Sequence, residues 1–271
     1  MEEKNKLTVL GCRGSMPCSD KACLKYGSAT SCFYLQAGDT EILFDAGTGI
    51  LSSTALLADA KECHLLLSHM HMDHIQGMAF WRPLFTKGKS IHVYSEKRGG
   101  MTTKEQLQNF LRPPYWPIGI DIWQADIDYR DITCGETFSI GEDVLVKTMR
   151  SHHPNTCTLY RVEWGGKSVV YALDFEHSPE ASAELAAFAK ECDVLIYDST
   201  YSPESYPQKA GWGHSTWLEA LKLKEAAGVK KLLLAHHEID STDEILDNLQ
   251  KKLTELDNNV YLAREGMEIT L

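Results

Sequence analysis

Ser68-His69-Met70-His71-Met72-Asp73-His74 places three imidazoles and a carboxylate within six consecutive positions, His69 to His74. Neutral imidazole and carboxylate suit zinc, manganese and iron, so the run reads as a metal-ligand cluster. Cys63 to Leu67 ahead of it is a short apolar run, expected as a strand, and ligands lie beyond the carboxyl ends of strands in open α/β sheets. Alternate residues of an extended segment share a face, so His69 and His71 point the same way. The next residues, Asp73-His74-Ile75-Gln76-Gly77-Met78, read as a first helical turn that aims Asp73 and His74 at a second point nearby. One metal takes the first pair and another the second. A single histidine beside an apolar strand is usually structural; three in the spacing H-x-H-x-D-H are not.

H-x-H-x-D-H after an apolar strand is the signature of the metallo-β-lactamase superfamily, and the chain resembles that superfamily over nearly its whole length. Leu10-Gly11-Cys12-Arg13-Gly14-Ser15-Met16-Pro17 and Tyr26-Gly27-Ser28-Ala29-Thr30-Ser31-Cys32 are similar to segments of one bacterial branch, often described as cyclic-phosphate phosphodiesterase-like. Leu43-Phe44-Asp45-Ala46-Gly47-Thr48-Gly49 is similar to the superfamily's strand ending in Asp-x-Gly. The resemblance implies an α/β fold, an αββα four-layer sandwich made of two ββα halves. It also implies the remaining ligands: His153 before Pro154, Asp174 after the apolar Tyr171-Ala172-Leu173, and His236 after Leu232 to Ala235, with His237 as the competing choice. His69, His71 and His153 would then hold one divalent ion, and Asp73, His74 and His236 the other. Asp174 would bridge them. Zinc or manganese is expected, with iron as a further candidate. Two such cations about 3.5–4 Å apart lower the pKa of a shared water and clamp attacking and leaving oxygens, so a bridging hydroxide is the implied nucleophile.

Val194 to Tyr201 (VLIYDSTY), Gly213-His214-Ser215-Thr216 and Ala226 to His236 resemble the phosphodiesterase side of the superfamily, which includes tRNA 3′-end-processing endonucleases. Carried over, Asp198 orients His214, and His214 donates a proton or hydrogen bond to the phosphoryl group or leaving oxygen. Asp73, Asp198 and His214 are thus the expected catalytic residues. Without that pairing, His214 is a polar residue at a helix start with Ser215 as its cap, and Asp198 an ordinary strand-end carboxylate. The alternatives in function are an ester, lactone or β-lactam hydrolase of the same fold, an RNA endonuclease, and a non-catalytic metal sensor. Flavin-coupled diiron relatives carry Glu where this chain has His71, and nothing after residue 240 reads as a flavin domain.

Twenty-seven basic against 38 acidic residues give a formal net charge of −11, which repels a polyanion and argues against nucleic acid as partner. That favours a small phosphodiester, such as a cyclic nucleotide or cyclic sugar phosphate. No Gly/Ser/Pro-rich linker divides the motifs, so residues 1–271 are expected as one domain. A homodimer is compatible with the sequence. The start of the chain is polar and no apolar run is long enough to span a bilayer, so a cytoplasmic protein with no membrane partner and with reduced thiols is expected. Cys12, Cys18 and Cys23 lack a C-x2-C pair and read as plain thiols rather than a structural zinc site.

Leu111 to Ile118 (LRPPYWPI) is either a Pro-rich loop packing its aromatics on the core or a wall of the site. In the second case Tyr115 and Trp116 would stack on a base and Arg112 would meet a phosphate. Ser178-Pro179 predicts a capped helix over Ala181 to Lys190, and Ser241 with Glu244 predicts a capping box before an apolar stripe of Ile245, Leu246, Leu249, Leu253 and Leu256. His153-Pro154-Asn155-Thr156 and Asp174-Phe175-Glu176 depart from the branch's H-P-G-G and D-T-E, so the pocket near Asn155 and Phe175 is expected to be this chain's own.

Overall fold

Alternating apolar runs and short turns give fourteen strands in the computed structural model, which describes residues 5–271. In chain order they are β1 (Asn5–Gly11), β2 (Cys32–Ala37), β3 (Thr40–Phe44), β4 (Glu62–Leu66), β5 (Ser90–Glu96), β6 (Asp126–Ile132) and β7 (Thr137–Ile140). The second set is β8 (Val144–Ser151), β9 (Cys157–Trp164), β10 (Lys167–Ala172), β11 (Val194–Asp198), β12 (Lys231–Ala235), β13 (Val260–Leu262) and β14 (Glu268–Thr270). The α-helices are α1 (Ser53–Leu56), α2 (Met72–Ile75), α3 (Thr103–Phe110), α4 (Pro179–Phe188), α5 (Trp217–Ala227) and α6 (Asp243–Leu256).

The strands form two seven-stranded sheets, ordered β14-β1-β2-β3-β4-β5-β6 and β13-β12-β11-β10-β9-β8-β7. Each half of the chain lays down an antiparallel meander, β1-β2-β3 or β8-β9-β10, and continues into parallel strands, β4 to β6 or β11 to β13. Leu7, Phe33, Phe44 and Leu66 of the first sheet meet Val146, Tyr160, Tyr171 and Ile196 of the second in a common core. Outside the second sheet, α4, α5 and α6 bury Leu185, Trp217, Leu223, Leu246 and Leu253. Outside the first, Ile50, Ile75, Trp81 and Leu107 close a third core. The result is the expected αββα sandwich. No helix among the described residues is long and apolar enough to cross a membrane.

Four strands, β6, β7, β13 and β14, carry no clear apolar signal in the sequence, and all lie at a sheet edge. β6 (DIDYRDI) buries only Ile132 fully, and β7, β13 and β14 are three or four residues long, so none carries an apolar run. Helix caps shift by a residue. Ser178 caps α4 as expected, but Thr216 and not Ser215 caps α5, and Thr242 and not Ser241 caps α6. Along α6 the buried centre of the stripe is Leu246 and Leu253, while Ile245 and Leu256 fall at its exposed border. Cys18 and Cys23 are joined in a disulfide where plain thiols were expected, because the intervening 3-10 turn brings their Cα atoms to 6.5 Å. Cys12 is a separate buried thiol bonded to the Tyr26 carbonyl.

Candidate metal centre

Every predicted ligand lies at or just beyond the carboxyl end of a strand, or on the short helix that follows one. His69 follows β4, His71 occupies the N-cap of α2, and Asp73 and His74 stand in α2 itself. His153 follows β8, Asp174 follows β10 and His236 follows β12. Asp45, Asp174 and His236 adopt positive φ of 57°, 55° and 64° at their strand ends. Non-glycine residues rarely take this conformation, which costs of order 1–3 kcal/mol and gathers at functional sites. Here it bends three strand ends inward to one spot.

The predicted ligands fall into two candidate groups, His69, His71, His153 with Asp174, and Asp73, His74 with His236, while His214 lies close enough to Asp174 and His236 to form a third set with them. His153 Nε2 stands 3.1 Å from His71 Nδ1, and His74 Nε2 stands 3.3 Å from His236 Nε2. Asp174 faces both groups, with Oδ1 at 3.5 Å from His153 Nε2 and Oδ2 at 3.0 Å from His74 Nε2 and 3.4 Å from His236 Nε2. A tetrahedral ion with bonds of about 2.0–2.2 Å would hold its ligand atoms about 3.4 Å apart, so these spacings fit. His69 Nε2 and Asp174 Oδ2 are buried and make no hydrogen bond, as donor atoms kept for a cation would be. Burial pushes the pKa of His69, His71 and His153 down, keeping those rings neutral as ligation requires. Burial opposes ionisation of Asp174, yet His236, His74 and His69 hold its carboxyl well below the usual range.

The far nitrogens of the rings are anchored, which sets each ring's orientation. His69 Nδ1 meets Ser68 Oγ at 3.0 Å, His153 Nδ1 donates to the Gly213 carbonyl at 2.9 Å, and His236 Nδ1 meets Thr200 Oγ1 at 2.9 Å. His74 Nδ1 donates to Asp45 Oδ2 at 2.6 Å. Asp45 also accepts from the Ser68 amide, the Ser68 hydroxyl and the Tyr171 hydroxyl. Asp73 is held by the Ser15 amide at 2.7 Å, where Ser15 too has positive φ. Two glycines are required by close approach. A Cβ on Gly14 would stand 2.3 Å from His236 Nδ1, and one on Gly213, whose φ is +89°, would stand 2.2 Å from His153 Nδ1.

His236 is thus the histidine turned into the cluster. His237 points the other way, donating from Nε2 to the Ala263 carbonyl, with its ring edge against Tyr26.

Asp198 ends β11 beneath the cluster and accepts His214 Nδ1–H at 2.8 Å. Its carboxylate is further fixed by the Thr200 amide and hydroxyl and by the Asp174 amide. Burial opposes the His214 cation, but Asp198 outweighs it and pushes the pKa up to about 9. The loop carrying His214 is fastened by Glu176, which accepts the Tyr206 hydroxyl and the Gly211 and Gly213 amides. Ser215 spends its hydroxyl on Tyr197 and His177, which is why it does not cap α5.

A cleft of about 760 Å³ opens beside His69 and His71, with Glu96, Met101, Asn109, Arg150 and Asn155 on its walls. Arg98 ties it together, donating to the carbonyls of Ser68, Glu96 and Thr156. Arg150 pairs with Glu96. The aromatics of the loop 111–118 neither pack on the core nor line this cleft: Trp116 meets Phe80, itself 68% exposed, and Tyr115 is 84% exposed. Sequence reading missed Ser68, Tyr171, Thr200, Glu96, Arg98 and Arg150. The first three sit within three residues of a candidate ligand or of Asp198, the one local signal available.

Fold and centre together define a protein of the β-lactamase superfamily. Its family description, Beta-lactamase superfamily domain, matches residues 40–237, and the chain belongs to that family. The chain is 26% identical over 274 residues to the probable metallo-hydrolase YhfI of Bacillus subtilis, spanning 96% of this chain and 98% of that protein. It is 24% identical to ribonuclease Z of Picrophilus torridus, over 98% of this chain and 96% of that one. The crystal structure of a diphosphatase from the PhnP family superposes with a TM-score of 0.73 at 20% identity, over 98% and 97% of the two chains.

Proposed function

We propose that the chain is a binuclear metal-dependent phosphodiesterase acting on a small or cyclic phosphodiester. His69, His71 and His153 would hold one divalent ion and Asp73, His74 and His236 the other, with Asp174 placed to serve both. Zinc or manganese suits this imidazole and carboxylate set, with iron the further candidate. When bound, the ions supply Lewis acidity toward phosphoryl oxygens and a low pKa for water. The chain's own residues do the rest.

The observation that carries the reading is the Asp198–His214 pair set against the ligand cluster, His214 stacking 4.8 Å from His236 and meeting His153 edge-on at 5.3 Å. Asp198 takes Nδ1–H and leaves Nε2 to serve the substrate. As the bond from phosphorus to the leaving oxygen breaks, His214 gives that oxygen a proton, and Asp198 balances the charge on the ring. An ester or lactam hydrolase of the same fold has no need of this pair. Asp73, fixed by the Ser15 amide, sets its Oδ2 3.3 Å from His74 Nε2 and His236 Nε2 and belongs to the catalytic set as a ligand to the metal there.

Ribonuclease Z among the relatives raises a nucleic-acid substrate. The charge of −11 weighs toward a small molecule, and the cleft beside His71 has room for one. The common core between the sheets supports reading residues 1–271 as one domain. The test is a panel of cyclic mononucleotides and cyclic sugar phosphates, with precursor tRNA beside them, offered to zinc- or manganese-loaded protein. Turnover of a small diester with tRNA left intact supports the reading; cleavage of tRNA alone refutes it.

A further inference from the structure

The amino ends of β4 and β5, away from the centre, carry a second convergence of donors. His64 on β4 stands directly across from His92 on β5, and His92 across from Asp128 on β6. Glu62, two residues before His64, shares its face of the sheet. His92 Nδ1 lies 3.1 Å from Asp128 Oδ2, and His64 Nδ1 lies 3.1 Å from the Tyr94 hydroxyl. Both rings therefore keep Nε2 for something else. His92 Nε2 is 2.6 Å and His64 Nε2 3.7 Å from Glu62 Oε1, and the rings stack at 4.8 Å.

We propose that Glu62, His64 and His92 form a second metal site, for a single zinc-class ion, separate from the catalytic centre. Two imidazoles and one carboxylate suit zinc, copper or nickel rather than magnesium or calcium, which prefer all-oxygen shells. A tetrahedral ion needs its donors about 3.4 Å apart, so the 3.7 Å separation already fits and the 2.6 Å one opens by rotating Glu62, which is 55% exposed. The Asp128–His92 contact is the outer carboxylate that orients a metal-bound imidazole, and Tyr94 does the same for His64. His64 is buried and His92 partly so, which fixes both rings before any ion arrives. The ion would clasp the starts of two parallel strands whose other ends lead to His69 and to Glu96.

The experiment compares fully loaded wild type with His92→Gln and with Glu62→Gln, dialysed against micromolar free zinc, with metal per chain counted by plasma mass spectrometry. Glu62→Gln changes only an exposed side chain, so its fold is not in question. Wild type should hold one equivalent more than either variant, and added zinc should shift the Nε2 signals of His64 and His92 in nitrogen-15 spectra. Diester hydrolysis should be the same in all three. Equal metal content in all three proteins, or unshifted His64 and His92 signals, overturns the site.

Discussion

Asp198 and His214 are sixteen residues apart in sequence, yet the strand-end carboxylate and the loop imidazole share a 2.8 Å hydrogen bond next to Asp174. Four further donors fix Asp198, the Ser215 amide among them, so the pair is rigid rather than a chance contact. If His214 is a general acid, the cost of losing it must depend on the leaving group. His214→Ala should slow diesters of alkyl alcohols by about 10²–10⁴ and those of nitrophenols far less, since a good leaving group needs no proton. Asp198→Asn should show the same pattern more weakly. A uniform loss across leaving groups, with metal content unchanged, would assign the pair to positioning alone.

Asp45 is expected to govern metal affinity without touching a metal. It receives His74 Nδ1, the Ser68 amide and hydroxyl, and Tyr171, all buried. Asp45→Ala leaves those donors unpaired at about 1–3 kcal/mol each and frees the His74 ring. Competition with a chelator should show metal affinity reduced by about 10–100-fold, the usual scale for an outer partner of a ligand. Thermal unfolding should show a lower Tm in the same variant.

Gly213 and Gly166 separate backbone strain from close approach. Both have positive φ, but only Gly213 would drive a Cβ into His153, since a Cβ on Gly166 meets nothing within 4 Å. Alanine at Gly166 should cost about 1–2 kcal/mol of stability for its left-handed backbone alone, and alanine at Gly213 more, because of the clash with His153. Gly213→Ala alone should also lose metal and activity, measured as metal per chain and as kcat. Activity loss of equal size in Gly166→Ala would show that the packing against His153 is not what matters.

Arg150 lies on the cleft wall, half exposed and paired with Glu96. If the substrate is the proposed phosphodiester, the Arg150 charge would meet it before chemistry begins. Arg150→Ala should raise KM about tenfold, the scale of one hydrogen bond to a charged group, and leave kcat near wild type. A fall in kcat with KM unchanged would move Arg150 into the transition state.

What the sequence disclosed follows from where information is local. H-x-H-x-D-H, the apolar strands before Asp174 and His236, and the Asp198 and His214 segments each occupy a few consecutive residues, so each candidate residue could be named. The choice of His236 over His237 rested on resemblance, and the fold separates them by direction: one ring enters the cluster and the other reaches Ala263. Anchors such as Tyr171 to Asp45 join residues 126 positions apart, which no local pattern encodes. The cleft was equally hidden, since Glu96 and Arg150 meet only when the ends of β5 and β8 converge. The aromatic loop at Tyr115 and Trp116 stayed open between two readings because composition says which side chains could stack, and not which way the loop leans. Edge strands such as β6 were missed because half-exposed strands carry charge where central ones carry Val and Leu.

The most direct measurement is hydrolysis of bis(p-nitrophenyl) phosphate, a lactone and a chromogenic cephalosporin by zinc- or manganese-loaded wild type and His214→Ala. Cleavage of the diester in preference to both carbonyl substrates, falling in the variant while its metal content holds, is the result predicted here. Turnover of the lactone or cephalosporin alone, indifferent to His214, would contradict the phosphodiesterase reading and make the chain a carbonyl hydrolase of the same fold.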